Sequence, residues 1–373
     1  MAVLVVSTLA SAPWGGSEIL WAAAAERLVD FGTPVVAVTH RSATTPPALQ
    51  SLASRGVELR SWHRAGRFRR ALHKAGIAQG PRVDGDVVLV NMASAHDLVT
   101  AVVPRSLVRR AVESGHPYVL APHSLVERRI SERNRALLAG LYGGAAAVVL
   151  PSLSMREDLE RQLATHLHRC VEVATPTPLL DRAVPPWPED AVLRLACVAR
   201  LDVEQKGHDV LLAALSRVSW RDDTWTLDLY GSGPDEAYVR SLVDFFGLAD
   251  HVTLRGHVDG VEEIWRNHHA LVLPSRREAR GIAITEAMAA GRPVLGTAIG
   301  GIPDSVLDGV TGLLAPAPTA RALAETLERL WRERAELPSW GAAARAHVER
   351  LFDHDPAERL VDVLRAVQRE GRQ

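Results

Sequence analysis

Short aliphatic and β-branched runs alternate with amphipathic stretches along most of the chain. Residues 1–7 (MAVLVVS), 35–39, 86–91, 118–122 and 147–152 are apolar runs of strand length. Between them, 18–31 and 154–164 carry apolar positions at helical spacing. Continuous rather than alternating apolar strands, separated by helices, predict a parallel sheet covered on both faces. Pro176, Pro178, Pro185, Pro186 and Pro188 then interrupt the pattern, which reads as a linker over 176–190. Beyond it the alternation restarts with strands at 193–199, 224–231, 251–256, 270–275 and 293–297, while 320–370 carries helical patterning alone. The pattern predicts an α/β protein of two Rossmann-like, doubly wound domains, 1–175 and 191–352, facing across a cleft. A helical tail follows, and its last part, 353–373, is expected to pack back towards the first domain. Ligands of such sheets bind beyond the carboxyl ends of the strands, so chemistry is sought in the turns there.

A length of 373 residues fits two domains better than one. With 47% hydrophobic and 23% charged residues the chain can bury large cores, which argues against disorder. The net charge of -1 excludes bulk attraction to nucleic acid or an anionic membrane, so such partners would need a local patch. Charge is divided unevenly: residues 1–180 hold 20 basic and 14 acidic residues, the remainder 23 and 30. The excess of the first half is concentrated in Arg60–Lys74, with six basic residues and no acid. Its plainer reading is a solvated helix face or loop; the sharper one is an acceptor-binding or peripheral membrane-surface patch. Cys170 and Cys197 form neither a disulfide framework nor a zinc motif, which makes a reducing cytoplasm the simplest setting. The N-terminus lacks a basic n-region and runs into Pro13 and a glycine pair, poor grammar for a signal peptide. No window approaches the roughly 18 apolar residues of a membrane span.

Candidate chemistry is densest in REARGIAITEAMAAG, residues 277–291. Glu278 lies in the turn after a strand and Glu286 eight positions on, inside the next helix. Gly281 stands near that helix's start, where free amides and the positive dipole end can hold a phosphate or sugar oxygens. A carboxylate accepts two hydroxyl hydrogens, so two of them flanking such amides suit a sugar and a ribose, although glutamates at this interval are also ordinary on solvated helices. In ARLDVEQKG, Arg200 leaves a strand end and Lys206 opens a helix. Two cations there can clamp a diphosphate whose charge grows as it leaves. The plainer alternative is Arg200 paired with Asp202 or Glu204 and Lys206 in solvent. Glycines at Gly15 and Gly16, at Gly231 and Gly233, and at Gly300 and Gly301 either admit a ligand close to the backbone or merely turn the chain. Neither PWGGSE nor any other segment supplies a dinucleotide GxGxxG or a Walker lysine, which weakens NAD and P-loop chemistry.

Taken in order, ARL…KG, LYGSGP, VTLRGHV, LVLPSRRE…G…EAMAAGRPVLGT, GGIPD and GVTGLL resemble the donor half of retaining nucleotide-sugar glycosyltransferases of family four, which have the GT-B fold. The likeness is close over about residues 193–335 and looser before. There PWGGSE resembles the family's N-terminal glycine loop and LAPHSLVERR the segment bearing its active-site histidine. The resemblance implies that Arg200 and Lys206 neutralise the donor diphosphate, that Glu286 holds the ribose, and that Glu278 meets the transferred sugar. It further implies that the amides of Gly281, Ile282 and Ala283 lie near sugar and phosphate, and that Arg255, Gly256, His257 and Val258 flank the nucleobase. Gly15 and Gly16 would approach the phosphates and His123 would face the sugar, with Gly231 at a further donor-side strand end. His123 follows a strand, as a ligand-facing residue should, and the other histidines among the fifteen carry less weight.

The expected activity is retaining transfer of a sugar from a nucleoside diphosphate to an acceptor hydroxyl. On the resemblance it proceeds on one face through an oxocarbenium-like state, metal-independent and without a cofactor. The acceptor class stays open among small molecules, lipid-linked groups and glycans, no nucleic acid is expected, and the base, sugar and oligomeric state are unassigned. The alternatives are a non-catalytic GT-B subunit or sugar-nucleotide sensor, and an epimerase or phosphorylase of the same architecture. One departure from the family pattern stands out: Arg280 occupies the position before the motif glycine where an aromatic residue is usual. Its stem is expected to cover that surface with the head in solvent, the alternative being a head aimed at a ligand.

Overall fold

The computed structural model describes residues 2–9, 14–42, 44–62, 86–99, 112, 115–125, 129–189, 191–220, 224–258, 260–352 and 354–371. The chain forms two units, one of residues 1–176 with 354–373 and the other of 177–353. In the first unit, strands β1 (Val3–Ser7), β2 (Val35–His40), β3 (Glu58–Trp62), β4 (Val87–Met92), β5 (Tyr118–Pro122), β6 (Ala147–Leu150) and β7 (Cys170–Glu172) pair in parallel in the order β3-β2-β1-β4-β5-β6-β7. The central strands β1, β4 and β5 are buried at every position, which is why their sequences run apolar without alternation. At one edge β3 (ELRSW) is mostly polar and partly exposed, and at the other β7 has three residues. Sequence periodicity misses both, because edge strands bury too little to write an apolar run.

One face of this sheet packs against the helix Gly16–Asp30 through Leu20, Trp21, Ala24, Ala25 and Leu28. Leu360, Val361, Leu364 and Val367 of the helix Pro356–Glu370 join the same core. Burying each of these aliphatic side chains stabilises by roughly 1.5–3 kcal/mol, which seats the end of the chain in the first unit. Asp355 starts that helix, accepting from the amide of Ala357 at 2.9 Å while pairing with Arg27 of the facing helix.

The second unit repeats the winding. Strands β8 (Leu193–Val198), β9 (Trp225–Tyr230), β10 (Val252–Gly256), β11 (Ala270–Leu273), β12 (Val294–Thr297) and β13 (Gly312–Ala315) are parallel in the order β10-β9-β8-β11-β12-β13. Apolar clusters cover both faces, one holding Leu195, Leu227 and Leu229, the other Ala196, Leu271 and Leu273. The helical tail resolves into Ala320–Arg332, Leu337–Leu351 and Pro356–Glu370. The sequence thus gives the fold class, both sheets and all but three strands; β13 hides in the glycine-rich GVTGLLAP.

The proline-rich stretch 176–190 behaves differently from a free linker. It contains a short 3₁₀ turn, Pro178–Asp181, and its carbonyls are hydrogen-bond acceptors for two arginines of the second unit. Arg292 is fully buried; its Nε donates to the carbonyl of His268 at 2.8 Å and its Nη2 to that of Pro186 at 2.6 Å, with the guanidinium 5.0 Å from the Trp187 ring centroid. Arg345 donates to the carbonyls of Leu180 at 2.9 Å and Ala289 at 2.6 Å. Prolines lack amides but keep their carbonyls, so the segment is held from its acceptor side. Among the described residues no helix is long and apolar enough to cross a membrane.

Candidate functional site

Each sheet has a topological switch point, between β1 and β4 in the first unit and between β8 and β11 in the second. Most candidate residues lie at the strand ends beside them. In the second unit the chain leaves β8 through Arg200 and enters the one-turn helix Val203–Lys206, where Asp202 accepts from the amide of Gln205 at 3.2 Å and Lys206 ends the helix instead of opening one. Gly207, at φ 68°, turns it into the helix His208–Leu215. A Cβ on Gly207 would lie 2.2 Å from the Pro274 carbonyl oxygen, so glycine alone lets this turn rest on the end of β11.

The two loops are joined by their backbones. The amides of Arg276 and Arg277 donate to the Gln205 carbonyl at 2.8 and 3.1 Å. The Arg276 guanidinium holds Asp209 through bonds of 2.6 and 2.8 Å and reaches the Val203 carbonyl at 2.6 Å. Sequence reading passed over Arg276, whose signal was the adjacent RR pair after a strand. This junction sets Lys206 against Glu278, whose carboxylate accepts from Nζ and, at 3.3 Å, from the hydroxyl of Ser275. The Lys206 side chain is 21% exposed and paired, which replaces the solvated alternative. Arg200, half-exposed, pairs with Asp202, the plainer reading of that residue, while Glu204 pairs with Arg277 at 3.0 Å.

Glu278 is fixed from the other side as well. Gly300, at φ 50°, brings its Cα close to the Glu278 carbonyl oxygen, 1.9 Å from where a Cβ would lie, and the Gly301 amide donates to that oxygen at 3.3 Å. The helix Ile282–Ala289 starts after Gly281 with no side chain capping it, so the amides of Ile282 and Ala283 have no acceptor within the helix. Glu286 lies in this helix, and burial pushes its carboxyl up to about 7. Arg280 corrects an expectation: it is 6% exposed, with Nη1 donating to the Ser305 hydroxyl at 3.3 Å, and it helps burial and Arg350 lower His347. The guanidinium gains partners inside the second unit instead of keeping its water.

The nucleobase-side candidates begin next to Arg200, since a Cβ on Gly231 would lie 2.1 Å from the Ala199 carbonyl oxygen. Gly231 ends β9, its amide donating to the Gly256 carbonyl at 2.8 Å, and His257 follows β10 in an exposed position. Arg255 pairs with Asp228 at 2.9 Å, and His268 Nε2 meets the same carboxylate at 3.1 Å. Burial works against the Asp228 charge, but His268 and Arg255 outweigh it and hold the carboxyl below its ordinary range. Arg255, Asp228, Tyr230 and His268 line a groove of about 1250 Å³; Arg200, Lys206, Glu278 and Glu286 do not. Among the described residues no group of three or more His, Cys, Asp or Glu is arranged to hold a metal ion.

In the first unit, β1 leads to Gly15 and Gly16, and the helix Gly16–Asp30 starts without a side-chain cap. Behind this turn Glu18 is buried, and His123 follows β5 with its amide donating to the Met92 carbonyl at 2.9 Å. Burial lowers the His123 imidazole to about 4, so the ring is neutral at physiological pH. Of the basic run Arg60–Lys74, Arg60 belongs to β3 and pairs with Glu58 at 2.7 Å. Ser61 and Trp62 complete that strand, and residues 63–74 of the run lie outside the described residues.

Residues 193–333, less than half of the chain, match the family model for glycosyl transferases group 1. A GDP-mannose-dependent alpha-(1-6)-phosphatidylinositol monomannoside mannosyltransferase of Mycobacterium tuberculosis is 35% identical over 183 residues, 46% of this chain and 47% of the relative. A D-inositol 3-phosphate glycosyltransferase of Xylanimonas cellulosilytica is 29% identical over 236 residues, 58% and 56%. The chain thus spans about half the length of the curated relatives it matches. The structure is similar to that of Anabaena Alr3699/HepE in complex with UDP, with a TM-score of 0.74 at 17% identity over 98% of this chain and 100% of that one. It is also similar to sucrose-phosphate synthase from Thermosynechococcus elongatus, with a TM-score of 0.75 at 21% identity over 98% and 99%. The fold is GT-B.

Proposed function

We propose that the chain is a retaining glycosyltransferase that moves a sugar from a nucleoside diphosphate to an acceptor hydroxyl without a metal ion. The observation that carries this reading is the Lys206–Glu278 pair at the β8/β11 switch point, beside a helix whose first amides are open, all within the segment that matches the family model. A lysine held by a carboxylate before ligand arrives is preorganised. When the diphosphate binds, Nζ and the Arg200 guanidinium exchange carboxylate partners for phosphate oxygens, and Glu278 is released to accept sugar hydroxyl hydrogens. Glu286 would take the ribose, His123 the transferred sugar and Gly16 the phosphates. As the anomeric bond breaks, Lys206 and Arg200 stabilise the leaving diphosphate, which removes the acceptor proton on the same face.

The relatives' names point to GDP-mannose or to inositol 3-phosphate, and the Alr3699/HepE structure holds UDP. The reading therefore stays at nucleoside diphosphate sugar for the donor and at a polyhydroxyl compound for the acceptor, with cytoplasmic placement as part of it. A thermal-shift panel of UDP-, GDP-, ADP- and dTDP-sugars identifies the donor, since a ligand at 100 times its dissociation constant stabilises by about 2.7 kcal/mol. Transfer to a polyol acceptor, with the anomeric configuration read by proton NMR, then tests the chemistry. An inverted product overturns retention, loss of activity on chelation overturns metal independence, and donor binding with no transfer to any acceptor leaves a sugar-nucleotide sensor.

A further inference from the structure

Asn91, next to last in β4, stands between the glycine turn after β1 and the end of β5. Its Nδ2 donates to the Ser17 carbonyl at 3.0 Å and to Glu18 Oε1 at 3.0 Å, and its Oδ1 meets His123 Nε2 at 2.8 Å. Reversing this amide would turn its oxygen towards a carbonyl and a carboxylate, both acceptors only, so the orientation follows from its partners. An oxygen facing Nε2 requires the proton on that nitrogen. In a neutral ring Nδ1 is then the acceptor.

Glu18 fixes the other end of the chain of bonds. Its carboxylate accepts from the Ser7 hydroxyl at 2.9 Å, the Ser17 hydroxyl at 3.3 Å and the Trp21 indole at 2.8 Å as well as from Asn91. The Ser7 oxygen itself accepts from the Leu9 amide at 3.3 Å, which leaves its proton for Glu18. Burial pushes the Glu18 carboxyl above its ordinary value, and the surrounding donors oppose that shift. A buried carboxylate held by donors from β1, β4 and the helix Gly16–Asp30 is costly unless every bond is kept, which suits a fixed support.

We propose that Glu18 and Asn91 are a positioning pair that holds His123 in its Nε2-protonated form, so that Nδ1 accepts a hydroxyl hydrogen of the transferred sugar. The sugar contact rests on the glycosyltransferase reading; the tautomer does not. The same pair ties the ring to the Gly15–Gly16 turn, because the Glu18 amide donates to the Gly15 carbonyl at 2.9 Å.

Long-range proton–nitrogen NMR of the ¹⁵N-labelled full chain, with the ring assigned by its loss in His123→Gln, reads the tautomer directly. The wild type should show a protonated Nε2 and a bare Nδ1 at about pH 7 and still at about pH 5.5, above the ring's value of about 4. A proton on Nδ1 overturns the proposal in the wild type, with no variant needed. Calorimetry with UDP-glucose and GDP-mannose, and with UDP and GDP alone, reads the consequence. Asn91→Leu and Glu18→Gln should weaken whichever sugar nucleotide binds by about tenfold, the size of one neutral hydrogen bond, and leave its free nucleotide within about twofold. Equal losses for both, or unchanged sugar-nucleotide affinity, overturn the positioning role. If the wild type binds neither donor nor nucleotide, the sugar contact falls together with the reading it rests on, and the spectrum still decides the tautomer.

Discussion

Lys206 and Glu278 form an ion pair, and on the proposed function each exchanges the other for a donor group. Lys206→Ala is expected to remain folded, since its side chain is not part of an apolar core, and to lose about two to three decades of turnover, typical for removing a preorganised charge at a developing anion. Steady-state kinetics on a variant with a native circular dichroism spectrum checks this. Wild-type turnover would remove Lys206 from the diphosphate. Glu286 makes a pH-dependent case. Its carboxyl, at about 7 in the fold against an ordinary 4.5, favours the folded state at low pH and loses that contribution as pH rises through about 7. Glu286→Gln should therefore unfold at higher denaturant than wild type above that pH, by about 2 kcal/mol. Donor affinity should move the other way: a carboxylate that accepts ribose hydroxyls must be ionised, so wild-type affinity rises with pH through about 7 while that of Glu286→Gln stays flat.

Two loops make the candidate site of the second unit, and each is secured by elements rather than by single side chains. Gly207 is the tightest point, because an added methyl would meet the Pro274 carbonyl and would also require φ near 68°, which side-chain-bearing residues avoid. Gly207→Ala should destabilise the second unit by more than about 2 kcal/mol and lower turnover even below its melting temperature, seen together by calorimetry and kinetics. The proline-rich stretch offers a test at the same scale. Arg292→Lys keeps the charge but loses the planar fork that reaches His268 and Pro186, and should cost about 2 kcal/mol. Limited proteolysis should then cut within 183–188 faster than in the wild type.

At the scale of the whole chain, each unit carries a neutral histidine, half-buried His123 in the first and fully buried His208 in the second. Burial lowers His123 in the first unit to about 4, and burial with Lys206 lowers His208 in the second to about 4. A folded value below the unfolded one gives stability that is present above about 6.5 and lost as pH falls towards 4, so both units should weaken together in that window. Neither ring nitrogen of His208 meets a hydrogen-bond partner among the described residues. His208→Leu should therefore be no less stable than wild type at pH 7 and should flatten the acid loss of the second unit. A steeper acid loss in denaturant titrations of that variant would contradict this account.

The buried strands, the two-fold repetition of the winding and the motifs of residues 193–333 were legible in the sequence. Each is local: an apolar run, a glycine after a strand, a cation in the turn beyond a strand end. Edge strands β3 and β7 were not legible, because a strand with one neighbour has no need to be apolar throughout. Arg280 shows the same limit for a single residue. Its sequence position left its head to solvent or ligand, and only the packed second unit supplied the Ser305 hydroxyl that lets it be buried. Pairings such as Lys206 with Glu278, and Glu18 with Asn91 and His123, join residues more than 70 positions apart, or more than 30 for the last step. Those pairings depend on strand order, which places β8 beside β11 and β4 between β1 and β5. Sequence by itself determined which residues could carry charge to a ligand; the order of the strands decided which of them meet, because hydrogen bonds are made across about 3 Å of space whatever the distance along the chain.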